Sequence, residues 1–143
     1  MAIAAHNRRC MALRQLETAL SLYFEKEDYY SVITLSGAAD EIFGQLLKAE
    51  KKENSLENIN KSVAEIYKSL TGEDFDPKEI AKRANRARNS LKHWSPGQPL
   101  VVEFDAREEA QDMLNRAIDN YWQLESSLSP AMERFQREFI VAS

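Results

Sequence analysis

The run Arg88-Asn89-Ser90-Leu91-Lys92-His93 holds the residue types from which a phosphodiester-cleaving site can be built. Imidazole titrates near neutrality and can both take and give a proton. A guanidinium stays charged and offers a planar fork to phosphate oxygens as negative charge gathers on them. With RNA as substrate the 2′-OH is an internal nucleophile, so this chemistry requires no metal. The chain has a single cysteine, Cys10, and no Cys/His cluster with metal-ligand spacing. The candidate roles are Arg88 on the phosphate, His93 as acid or base, and Asn89 orienting either one. No cofactor and no metal are expected. The competing reading of the same residues is a solvated helix end.

These side chains need a helix, and its geometry constrains them. Five residues along a regular helix amount to a turn of about 140°, so Arg88 and His93 do not share a face. His93 does share one with Asn89 and Arg86. Convergence of Arg88 with His93 requires the helix to loosen near 91–94, or a second subunit to supply half of the pocket. The first route is open because Ser95-Pro96 follows, and a proline pushes its predecessor out of helical geometry.

The motif closes a basic segment. Asp76-Pro77 predicts a helix start, with an N-cap aspartate and proline at the first position. Ile80, Ala84, Ala87, Leu91 and Trp94 form its apolar stripe, and Lys78, Lys82, Arg83, Arg86, Arg88 and Lys92 crowd the remaining surface. Lys82, Arg83, Arg86 and Lys92 are the candidate substrate-binding cations. The chain as a whole carries a net charge of -4, so any grip on nucleic acid must come from this local patch.

The rest of the chain reads as the scaffold. Its 143 residues suit one domain, 1–143, and 43% hydrophobic with 29% charged residues is a globular rather than a disordered balance. No run approaches the ~20 apolar residues of a membrane span. Helical periodicity marks 4–24 and 29–52. Ser55 is the expected N-cap of a third helix, in which Leu56, Ile59, Val63, Ile66 and Leu70 make a narrow stripe ending at Gly72. Leu100 to Phe104 reads as an extended strap over the core. Asp105 starts a long fifth helix, and Ser129-Pro130 a short last one with Met132, Phe135, Phe139 and Ile140 on one side. The expected fold is an all-α antiparallel bundle of five to six helices.

Asp40 and Glu41 interrupt the largely apolar second helix, which also holds Gly37 and Gly44. If one carboxylate points inward it needs a cationic partner, and the Arg88 region is the expected source. If both point outward they are surface. The two glycines predict close approach of a neighbouring backbone.

Arg88, its polar neighbour Asn89 and His93 after four intervening residues, the Ala38-Ala39-Asp40-Glu41 helix before them and the amphipathic helix after them together resemble the HEPN superfamily. The resemblance spans about Ala12 to Leu124, and only the short motif is specific. It implies a helical bundle that dimerises with two motifs facing each other. Many such proteins are metal-independent endoribonucleases in toxin–antitoxin systems, defence or RNA processing; others have lost activity and bind RNA, nucleotides or proteins. Some toxins of this kind carry a modifiable tyrosine two residues after the histidine, where this chain has Ser95. The expectation is therefore a cytoplasmic, homodimeric, HEPN-like protein acting on RNA, with a protein antitoxin or regulator as a further partner. The alternative is a catalytically silent helical adaptor that binds a protein or nucleotide.

Overall fold

Short polar side chains begin the helices of this chain. In the computed structural model, which describes residues 2–142, the Asn7 side chain accepts from the amides of Arg9 and Cys10 and opens α1 (Arg8–Glu25). Asp28 accepts from Ser31 N and opens α2 (Tyr29–Ala49). Asn54, rather than Ser55, caps α3 (Ser55–Thr71) by accepting from Glu57 N at 2.9 Å. Gly72 closes α3 at φ 74°, a left-handed position that favours glycine. Asp76 and Pro77 start α4 (Pro77–Ala84), and Asp105 caps α6 (Ala106–Glu125) through Glu108 N. Between them lies α5 (Arg86–Lys92), and α7 (Pro130–Ala142) ends the described chain.

The fold is an all-α bundle. It has seven helices and no strand among the described residues. The additional helix arises because the basic segment 77–92 is broken at Asn85 (φ −107°, ψ 5°) into α4 and α5. The core lies where α2 packs between α1 and α6, with α7 closing one side. Leu16, Leu20, Val32, Ile33, Phe43, Leu114, Ile118, Met132 and Phe135 are fully or almost fully buried there. Each such side chain contributes about 1.5–3 kcal/mol relative to exposure. Phe135 stacks on Phe139 as the last helix predicts, while the Ile140 side chain lies outside the described ones.

One expectation fails on this side of the molecule. The 100–102 stretch does not cover the core: Leu100, Val101 and Val102 are exposed, and only Phe104 of that segment packs inward. The stripe of α3 is also uncovered, and Ser55 is the only fully buried residue of that helix. No described helix is long and apolar enough to cross a membrane.

Candidate functional site

The break at Asn85 explains how the basic segment is held. Arg116, inside α6, reaches across and donates from Nη1 to Ala84 O (3.1 Å) and to Asn85 Oδ1 (2.9 Å). Its Nη2 donates to Asp40 Oδ2 at 2.7 Å. Asn120, one turn further along α6, donates to Asp40 Oδ1 (3.0 Å) and accepts from Ser55 N (2.7 Å) through its own Oδ1. The α2 carboxylate, the α6 guanidinium, the α4–α5 joint and the first residue of α3 thus form one network.

Asp40 therefore points inward, and its partner is Arg116 rather than Arg88. The two side chains are 6% and 5% exposed. Burial pushes the Asp40 carboxyl above its ordinary value, against the opposing pull of the Arg116 and Arg88 guanidinia. Glu41 is the outward one of the pair. It sits 3.8 Å from Arg88 Nη1 with its side chain 58% exposed, a loose and well-screened contact.

Arg88 is mostly buried and packs on α2. A Cβ at Gly37 would lie 2.5 Å from Arg88 Cδ, so Gly37 makes room for the arginine stem rather than for a neighbouring backbone. Gly44 similarly faces the side-chain amides of Asn54 and Asn120. The Arg88 side chain lines a polar hollow of about 150 Å³ together with Asp40, Glu41, Gln45, Asn54 and Asn120.

His93 lies elsewhere. It ends α5 in extended backbone (φ −131°, ψ 131°), its amide still donating to Asn89 O at 2.9 Å. The helix does loosen there, yet His93 lines a separate cleft of about 500 Å³ that Arg88 does not border. One wall of that cleft is Lys82, Arg86, Asn89, Ser90 and His93; the other is Trp94 with Gln98 to Leu100 and Val102. Arg86, Asn89 and His93 are thus together, as one helical face requires.

Trp94 does not continue the apolar stripe. It stands beyond the helix end with much of its ring exposed, its Nε1 donating to Gln98 O at 3.2 Å. Gln98 in turn accepts from Ser95 N through Oε1 at 2.9 Å. Gly97 (φ 96°) permits this tight return. The loop holds the indole at the edge of the cleft.

The four candidate cations divide. Lys82 and Arg86 line the His93 cleft, Arg83 lines a groove toward α3, and Lys92 is exposed outside both. The sequence reading missed Arg116, Asn120 and Asn85. The available signal was that Arg116 and Asn120, four residues apart, fall among Met113, Ala117 and Ile118 on the inner arc of their helix. Chemically, the His93 cleft offers an accessible imidazole, two cations and an aromatic face, which suit a phosphate with an attached planar base. Comparison of the chain with protein-family models, with curated proteins and with solved structures finds no match.

Proposed function

We propose that the protein is an RNA-cleaving helical protein of the HEPN kind, cutting unpaired RNA without a metal and acting as a homodimer. The observation that carries this reading is the cleft that gathers His93, Asn89, Lys82, Arg86 and Trp94. Lys82 and Arg86 would hold phosphates, and Trp94 would face a base. His93 would take the proton of the 2′-OH as O2′ attacks phosphorus. The P–O5′ bond then breaks, and O5′ leaves with a proton from a second acid. The products are a 2′,3′-cyclic phosphate and a 5′-OH end. In a two-fold dimer the partner's own histidine is a candidate for that acid. Arg88 can serve only where the two motifs meet, since within one chain it lines a different hollow from His93.

The test is cleavage of a mixed RNA pool in chelator. His93→Ala and Arg88→Ala are each expected to be inactive while folded, Arg88→Lys is expected to rescue poorly for lack of the planar fork, and DNA is expected to stay intact. Mixing the two alanine variants should restore part of the activity if the site is shared between protomers. Residual activity equal in wild type and His93→Ala would overturn the reading.

The separation of Arg88 from His93 favours a second reading, a catalytically silent module whose basic cleft binds a nucleotide or RNA. Binding without cleavage, weakened by Lys82→Ala and Arg86→Ala and by salt, is its expected signature.

A further inference from the structure

We propose that the groove between α3, α4 and α6 is the docking site for a basic amphipathic helix of another protein. The groove shares no lining residue with the His93 cleft, so the proposal does not rest on the ribonuclease reading.

The first observation is an apolar face with nothing on it. Ile59, Val63, Ile66 and Leu70 recur at steps of four, three and four, which aligns them over three turns of α3. Their exposures are 37%, 37%, 60% and 80%. A run of β-branched and leucine side chains at this spacing ordinarily packs against something. Here the neighbouring elements touch only its inner edge. Phe75, stacked edge-on against Tyr67 at 4.9 Å, and Ile80 extend the apolar floor. Ile59 and Val63 line a hollow of about 500 Å³ with them, and Ile66 and Leu70 continue the stripe beyond it.

The second observation is the sign of the walls. Glu109 and Asp112 of α6 line the groove, and Asp105 and Glu108 lie within the same two turns. Neither Glu109 nor Asp112 makes an ion pair within 4.0 Å among the described residues. Partial burial, then Asp112 and Glu108, push the Glu109 carboxyl above its ordinary value, with Arg86 opposing; partial burial and Glu108 do the same for Asp112, with Arg116 opposing. Glu73, Asp74 and Asp76 flank Phe75 in the loop at the groove's end, with Asp74 paired to Lys68 at 3.6 Å and Asp76 capping α4. Two cations border the groove, but Arg116 is already committed to Asp40, which leaves Arg83.

An apolar floor spaced for helix-in-groove contact with an acidic wall selects the occupant. Nucleic acid and anionic lipid surfaces are repelled by the carboxylates. A second copy in a two-fold contact would set this patch against itself, acid facing acid. A helix with apolar residues at i, i+3, i+4 and i+7 and Lys or Arg beside them would cover the stripe and neutralise Glu109 and Asp112 together.

The experiment titrates the full chain into labelled helical peptides of about 18 residues, five turns. One peptide has a leucine stripe flanked by Lys and Arg; a second has the same stripe flanked by Glu; a third has the basic composition with the stripe scrambled. Anisotropy should show micromolar binding of the first alone. Ile66→Asp and Leu70→Asp, both on exposed side chains and checked by circular dichroism, should each weaken it by about tenfold or more. Glu109→Gln with Asp112→Asn should weaken it and flatten its salt dependence. Absence of binding by the basic peptide, or equal binding of the Glu-flanked one, would overturn the proposal. So would a wild-type dimer in sedimentation that Ile66→Asp turns into monomer, since a second copy would then be the occupant.

Discussion

The two sides of this molecule hold themselves together by different means. On the α1–α2–α6–α7 side, Leu16, Phe43, Leu114 and Phe135 are buried essentially completely. Across α3, α4 and α5 the only buried hydrophobic residues are Ile80 and Ala87. That side is attached instead by hydrogen bonds: Arg116 to Asp40, Ala84 and Asn85, and Asn120 to Ser55. Apolar burial is non-directional and makes a mass of side chains interchangeable. Polar ties are few, directional and costly to break singly. The lesson is that the side carrying the His93 cleft is positioned by a handful of atoms, and the apolar stripe of α3 stays largely exposed there.

The sharpest way to break the comparison is by truncation on each side. Phe43→Ala should cost about 3–5 kcal/mol in urea denaturation, whereas Leu70→Ala should stay within about 0.5 kcal/mol, as an exposed substitution does. Equal losses would mean that the α3 stripe is covered in solution.

Next in size is the buried pair. Asp40→Ala should cost about 3 kcal/mol or somewhat more by stranding the Arg116 guanidinium, and Glu41→Ala should be near wild type. Replacing both partners, Asp40→Leu with Arg116→Met, should recover only part of the loss: no unpaired charge then remains, but Ala84 O, Asn85 Oδ1 and the Asn120 amide lose hydrogen bonds. If both single carboxylate variants melted like wild type, the network would have no energetic role.

A smaller effect is expected at Gly37. Adding a methyl there forces the Arg88 stem aside, at about 1–2 kcal/mol by analogy with overpacked sites. In an Arg88→Ala background the same substitution should instead stabilise by up to about 1 kcal/mol, alanine being the better helix former.

The smallest effect sharpens the acidic wall. A carboxyl whose pKa is raised on folding holds its proton more tightly in the folded chain. Its ionisation therefore lowers stability as pH climbs from the ordinary 3.8 of Asp112 through the folded value, and the deficit is complete above that window. Asp112→Asn should accordingly raise the melting temperature slightly near neutral pH and leave it unchanged near pH 3. An equal gain at both pH values would rule out the charge as its cause.

Much of the fold was legible from local chemistry. Asp76-Pro77, Gly72 and Asp105 mark helix ends through their own side chains or backbone freedom, and each occupies the terminus expected of it. The five-residue spacing of Arg88 and His93 already set them apart on a regular helix, and they line different hollows. What escaped depended on distant residues. Nothing local at Asn85 signals a break, because its capping partner Arg116 lies 31 positions away. An inward carboxylate in α2 would need a cation, but whether Asp40 or Glu41 turned inward was open, and Arg116 looked like one more charge on an amphipathic helix. The stripe of α3 gave correct periodicity, and periodicity does not say whether a face is covered by the same chain.

The seat of Arg88 on Gly37 bears on how such a chain can change over generations. A lineage that keeps the arginine loses stability if the glycine drifts, since every other side chain begins with the atom that collides. A lineage that loses the arginine frees the glycine, and the better helix former alanine becomes the favoured replacement. The two positions are thus coupled heritably although they lie 51 positions apart in the chain. An alanine at position 37 would be easiest to carry where the arginine has already been lost.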